Sequence, residues 1–401
     1  MSDIKLERKI VWLAGLIQLA HVLDFMIIMP LGPDLTTAID IPSSKMGLLG
    51  GSYTFAATIS GIAFARYLDR YDRKNAVLFF LIGLVISTFL CTFAWDTNSM
   101  LFARTVAGFF GGPVTALSLS MVVDKVPVER RGRAIAIVTS AFTVSSVFGI
   151  PLALELALKF NWQAPFYTVA ILGILIIVGI ILMLPPMSDH IDKNSKEPQT
   201  VPIWPMLKRR EIQLSFLLLA LLSFAQFSLF SATVNYFVFN LGFAREGLSE
   251  IYVVGGVLSF IVMMLTGRII DLYGNRLLSI VITAFYVCIL ADGFLHIPIM
   301  PIMAVFSLFM MSAAIMGVIC STIASEAPGE RERAAFMSLQ TTFRNMAAGA
   351  GGLVASWVLI SDENERLTNV PIIASIAIIC IILLPIIIIT LRRELNLKNL
   401  K

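Results

Sequence analysis

Charge is what this sequence has least of. Asp, Glu, Lys and Arg make up 14% of its 401 residues, against roughly 25% in an average soluble protein. A chain with so little polar surface cannot hydrate a soluble fold, which excludes a cytosolic enzyme and a disordered protein. Cysteine is also scarce. Cys91, Cys288, Cys320 and Cys380 all fall in apolar stretches without CxxC or Cys/His spacing, so neither a disulfide framework nor a zinc site is suggested. Three histidines are too scattered to form a metal cluster. No GxSxG, HExxH or phosphate-cradling glycine loop occurs, so no enzyme, cofactor or metal is expected.

Apolar surface is what the chain has in excess. Hydrophobic residues are 58% of it, and the mean hydropathy is +0.87. These values predict an integral membrane protein in a lipid bilayer. The net charge of +4 is mild. It fits basic cytoplasmic loops and not nucleic-acid binding.

A helix needs about 20 apolar residues to cross a bilayer. Twelve such stretches are present, at 10–32, 46–66, 75–95, 99–123, 134–158, 164–185, 212–240, 248–270, 277–296, 298–324, 335–360 and 369–391. All are expected to be α-helices, because an open sheet would leave backbone groups unpaired in lipid. The first lacks a small-residue cleavage site and reads as a retained span. The N-terminus, every second loop and the C-terminus together hold 24 of the 30 Lys and Arg residues. Basic loops stay in the cytoplasm, so both termini are expected there. Residues 186–211 are rich in Pro and charge and read as a cytoplasmic linker. It joins an N-terminal six-helix bundle at 1–185 to a C-terminal one at 212–401.

The halves repeat locally at a spacing of about 202 residues. Ala65–Lys74 (ARYLDRYDRK) follows span two, and Gly267–Arg276 (GRIIDLYGNR) follows span eight. Pro127-Val128-Glu129-Arg130 follows span four, and Pro328-Gly329-Glu330-Arg331 follows span ten. Six spans separate the copies, so the repeat is parallel. Two six-helix bundles related about the membrane normal form a transporter architecture.

With these motifs the chain resembles the major facilitator superfamily along essentially its whole length. The loop after span two is similar to that superfamily's G-x-x-x-D-[RK]-x-G-[RK]-[RK] signature. Asp69, Arg70, Arg73 and Lys74 match, while Ala65 and Asp72 replace the two glycines; Gly267 and Gly274 keep them in the second copy. Three stretches resemble the drug/proton antiporter branch, of the sugar-efflux and chloramphenicol-efflux type. They are Asp24 followed by Pro30-Leu31-Gly32-Pro33, Arg104 followed by Gly108, and Gly149-Ile150-Pro151-Leu152. The resemblance implies an all-α major facilitator fold. It also implies proton-coupled efflux of small amphipathic or sugar-like molecules by alternating access. The expected setting is a monomer in the cytoplasmic (inner) membrane of a prokaryote. An uptake symporter, a facilitator or a lipid translocator on the same fold is the alternative, since fold does not fix direction.

The few charges inside the spans nominate the site. Asp24 lies about fourteen residues into span one, where an unpaired carboxylate would take a proton or face water. It reads either as the proton-coupling group or as a structural hydrogen-bonded Asp. Arg104 is near the outer end of span four. It either snorkels outward or faces a cavity, where it would keep a nearby carboxylate ionised until it withdrew. His21 precedes Asp24 by three residues and shares its face. Gln226 stands at the equivalent point of the second half, so coupling is expected to reside in the first. Arg344, about ten residues into span eleven, cannot easily snorkel; it contacts an anionic substrate group or pairs with a carboxylate. Phe25 and Tyr236 are candidate cavity-lining aromatics, with core packing as the alternative. Arg66, Asp69, Arg73, Asp124 and Asp271 form a candidate cytoplasmic gate, although basic residues there also serve topology. Gly149 and Pro151 are expected to bend span five.

Overall fold

In the computed structural model, residues 2–65, 71–188, 203–329 and 332–399 are described below. The chain forms two compact units, Met1–Lys196 and Glu197–Lys401. The boundary between them falls inside the segment read as a linker.

The first unit holds α1 (Ser2–Met26), α2 (Gly32–Ile39), α3 (Met46–Ala65), α4 (Arg73–Cys91), α5 (Thr97–Lys125), α6 (Val128–Thr139), α7 (Ala141–Val144), α8 (Ile150–Lys159) and α9 (Ala164–Met183). The second holds α10 (Ile203–Leu207), α11 (Arg210–Asn235), α12 (Leu248–Phe294), α13 (Ile302–Ala324), α14 (Arg333–Val358) and α15 (Val370–Asn399). A two-residue antiparallel hairpin, β1 (Ile360–Ser361) and β2 (Leu367–Thr368), joins α14 to α15.

Eleven described helices are long and apolar enough to cross a membrane. The twelfth expected span, 335–360, is α14. At 26 residues it is about 39 Å long, sufficient for a crossing at 1.5 Å per residue. Gln340, Arg344 and Asn345 dilute its hydropathy, which is why it stands apart from the other eleven.

Span one ends earlier than expected. Its helix stops at Met26, not near residue 32. Pro30 has no N–H for a further helical bond, and its ring would clash with the preceding turn. The chain turns through Ile27–Leu31 and restarts as α2, with a proline in its first turn. Asp24 therefore sits in the last turn of α1. Span five is interrupted as well: residues Ser145–Gly149 form a π-turn between α7 and α8. The Ile150 N–H reaches back to the Ser145 carbonyl, and Pro151, which can donate nothing, follows at once.

Spans eight and nine run together as α12, with a break at Gly274 (φ 75°, ψ 155°). A side chain would be strained there. The corresponding Asp72 in the first half has φ −55° and needs no glycine. Its carboxylate caps α4 by accepting the Asn75 N–H at 3.0 Å. The departure of the first loop from the glycine signature is thus a change of device, from a glycine turn to an N-cap.

The core of the first unit is built where α1, α3, α4, α5 and α9 meet. Ile10, Ile17, Tyr53, Leu84, Ala107 and Met121 are among its buried members. α3 and α5 pack closely along their length. Gly108 allows this approach: a Cβ there would strike the backbone carbonyl of Tyr53, which cannot move aside.

Candidate functional site

The site grows from two helix ends. Asp96 caps α5 by accepting the Ser99 N–H at 2.8 Å, and the Asp96 N–H in turn donates to Ser99 Oγ at 3.1 Å. These hydrogen bonds hold the Asp96 carboxyl below its ordinary range. The cap fixes where α5 begins, and Arg104 follows about 11 Å along the helix. Asp24 occupies the final turn of α1, where backbone carbonyls lack helical partners and the helix dipole disfavours a negative charge.

Arg104 answers both needs. Its Nη1 donates to Asp24 Oδ1 at 3.1 Å, and its Nη2 donates to the Asp24 backbone carbonyl at 2.9 Å. One guanidinium therefore neutralises the carboxylate and caps the helix. Both side chains are 0% exposed. Arg104 does not snorkel.

The surroundings are polar in part and incomplete. The Thr88 hydroxyl lies 2.8 Å from Asp24 Oδ1 and also 2.8 Å from the Leu84 carbonyl. Its single proton can serve only one of them at a time. Asp24 Oδ2 and Arg104 Nε are buried without a hydrogen-bond partner. The Tyr53 ring lies under the guanidinium, 4.5 Å from Cζ, a favourable cation–π placement. The Tyr53 hydroxyl is 3.1 Å from His21 Nδ1. Phe25 packs on the same ring at 5.4 Å between centroids. His21, Asp24, Phe25 and Arg104 thus converge around Tyr53, on helices α1, α3 and α5.

Gly149 brings span five against this site. A Cβ there would collide with Leu23 Cδ2, next to Asp24 in sequence. Gly149→Leu is expected to destabilise the protein by about 1–3 kcal/mol, the usual range for overpacking. Leu23→Ala should recover part of that loss, because it removes the colliding methyl. Gly108→Ala should be harder to rescue, because it meets backbone. Thermal melting of the purified variants tests both.

The other nominated residues are placed differently. Gln226 donates from Nε2 to the Ala313 carbonyl at 3.1 Å, which ties α11 to α13. Tyr236 is buried and stacks on Phe294 at 5.7 Å, so packing accounts for it. Arg344 is exposed and, among the described residues, has no ion pair or hydrogen bond. No carboxylate among the described residues pairs with it. Arg73 Nε meets Asp124 Oδ2 at 3.1 Å, so two gate candidates pair within the first unit. The same corner is tied to the end of α9, where Lys74 Nζ donates to the Ile181 carbonyl at 3.1 Å. Arg66 and Asp69 lie outside the described residues. Asp271 is in α12, but its side chain is not among those described.

Tyr53 and Thr88 escaped the sequence reading. Tyr53 offered a signal, as a tyrosine inside an apolar span whose hydroxyl needs a partner. Thr88 offered none, since a span threonine usually bonds its own helix, as this one also does.

A helical chain with spans of bilayer length in each of two units, and a buried acid–base pair joining two spans, belongs to the class of polytopic membrane transporters. Residues 14–353 match the family model described as Major Facilitator Superfamily, and the chain belongs to that superfamily. Solved structures agree in fold. The nucleoside transporter NupG aligns with a TM-score of 0.73 at 14% identity, over 96% of this chain and 98% of its own. A bacterial homologue of the human lysosomal transporter Spinster, inward-facing and occupied, aligns at 0.69 and 16% identity, over 96% and 95%. At such identities the likeness concerns the fold alone.

Proposed function

We propose that the chain is a proton-coupled exporter of the drug/proton antiporter branch. It moves small amphipathic or sugar-like molecules by alternating access, as a monomer in a prokaryotic cytoplasmic membrane with both termini inside. The observation that carries this reading is the Asp24–Arg104 pair, fully buried and incompletely bonded.

The chemistry follows from the desolvation of that pair. A buried ion pair is stable only while both charges are present. A proton arriving at the unpartnered Asp24 Oδ2 neutralises the carboxylate and leaves Arg104 without a counter-charge in an apolar setting. The guanidinium must then rehydrate or find another acceptor, which favours movement of α5 against α1. The Thr88 proton is free at that moment to turn to the Leu84 carbonyl. Loss of the proton restores the pair and the starting arrangement. The π-turn and Pro151 in span five lie against α1 through Gly149 and Leu23. They supply a segment whose helical hydrogen bonds are already broken, where bending is least costly. The Arg73–Asp124 corner, with Arg66, Asp69 and Asp271, is the proposed cytoplasmic gate.

Purified protein in proteoliposomes tests the reading. An imposed pH gradient should drive labelled candidate substrates against their concentration gradient, with protons moving in the opposite direction. Substrate and proton moving in the same direction would identify an uptake symporter instead. Substrate flux indifferent to the pH gradient would identify a facilitator.

A further inference from the structure

We propose that the second unit carries a binding site for an anionic phospholipid headgroup on its basic face. The site is separate from the Asp24–Arg104 pair, and the proposal does not depend on the transport reading. The cavity measures about 440 Å³. It lies where the break of α12 at Gly274, the last turn of α13 at Ile323 and the end of α15 meet.

Its depth follows from α15. Residues 371–390 are uncharged and cover about 30 Å as a helix, the thickness of the hydrocarbon core. Arg392 and Arg393 come immediately after, so they stand at headgroup level. Arg276, just past the Gly274 break, lines the same cavity.

Its chemistry is amphipathic. Arg276, Arg392 and Arg393 line it together with Ile323, Ile388 and Leu397. Arg392 is held by Glu326 at 2.6 Å. Arg276 and Arg393 have no ion pair among the described residues. Among the described residues the cavity therefore keeps a surplus of positive charge beside apolar side chains. A phosphodiester supplies the missing anion, and an acyl chain covers Ile389 and Leu397, exposed at 36% and 49%. Asn275 Oδ1 is buried there without a donor. A headgroup hydroxyl, as on phosphatidylglycerol, provides one. The choline of phosphatidylcholine provides none and is repelled by the guanidiniums. A free phosphate satisfies the charge but leaves the apolar lining bare.

Native mass spectrometry of the full-length protein separates these ligands. Titrations use phosphatidylglycerol, phosphatidylcholine and inorganic phosphate. The wild type should retain a phosphatidylglycerol adduct in preference to phosphatidylcholine. Arg276→Gln with Arg393→Gln should bind phosphatidylglycerol about thirty-fold more weakly, the factor expected for two lost basic contacts at an anionic surface. The single Arg393→Gln should show about a fivefold loss. The double lysine variant should keep most of the affinity, since charge is the main term. Arg366→Gln, outside the cavity, should change nothing. Equal affinity for the two lipids, or undiminished phosphatidylglycerol binding by the glutamine variants, would overturn the proposal. Displacement of the lipid by inorganic phosphate alone would reassign the cavity to a soluble anion.

Discussion

Asp24→Asn is expected to abolish pH-driven flux while leaving a folded protein in the membrane. The amide is nearly isosteric with the carboxylate. Its oxygen can still accept from Arg104 Nη1 and from Thr88, the two donors now on Oδ1. The cap on the α1 carbonyl does not involve the side chain and should survive. What the amide cannot do is exchange a proton. It also leaves Arg104 buried without a counter-charge, and breaking a buried pair from one side costs about 3–5 kcal/mol. The retained hydrogen bonds should put this variant at the low end of that range. Adding Arg104→Gln removes the stranded charge and should recover part of the stability. The coupling between the two sites is expected at about 0.5–3 kcal/mol. Arg104→Lys should fail differently: a single ammonium cannot reach carboxylate and backbone carbonyl in the same fork geometry. Proton flux in proteoliposomes and thermal melting together separate these effects. Unchanged pH-driven transport in Asp24→Asn, with normal protein levels, would sink the coupling role.

Much of this was legible in the sequence because a bilayer is an exacting solvent. Charges inside spans are so costly that Asp24, Arg104 and Arg344 could be singled out from composition and position alone. Span positions followed from apolar length. The details that were missed depend on backbone and on contacts across helices. The early stop of α1 was written in Pro30, yet hydropathy runs through the proline without a break. Asp72 looked like a defect in a glycine motif, because a cap is visible only once the turn's dihedral angles are known. The dual role of Arg104 could not be foreseen, since it required knowing that Asp24 lies at a helix end with a free carbonyl beside it. Tyr53 lies 51 residues from Arg104 in sequence, and no local pattern links them. Gln226 and Tyr236 show contacts of the same non-local kind: one donates to the Ala313 carbonyl of a neighbouring helix and the other stacks on Phe294.

Arg344→Gln is expected to weaken binding of anionic substrates by about 10- to 150-fold, while leaving thermal stability unchanged or slightly raised. Arg344 stands about 17 Å along a 39 Å helix, by its place in α14. It is exposed and has no ion pair among the described residues. A charge facing lipid at that depth costs from about 2.5 to more than 10 kcal/mol, by the two methods that bracket it. That cost argues for a position of Arg344 turned away from the lipid. The apolar face of that helix is already engaged: Phe336 and Phe343 stack on Phe216 of α11 at 5.1 and 4.7 Å. A cation without a protein anion among the described residues is suited to a ligand's carboxylate, sulfonate or phosphate. Hydrogen bonds to a charged group contribute about 1.5–3 kcal/mol each, which sets the expected loss. Arg344→Lys should keep the attraction and lose the bidentate fit, with an intermediate affinity. Neutral analogues should bind wild type and Arg344→Gln alike. Binding assays on purified protein, with anionic and neutral members of one ligand series, decide the matter. If both series lose affinity equally, Arg344 shapes the helix and does not meet the ligand's charge. If Arg344→Gln lowers the melting temperature by several degrees, its role is structural after all, and the unpaired charge has a partner in the folded protein.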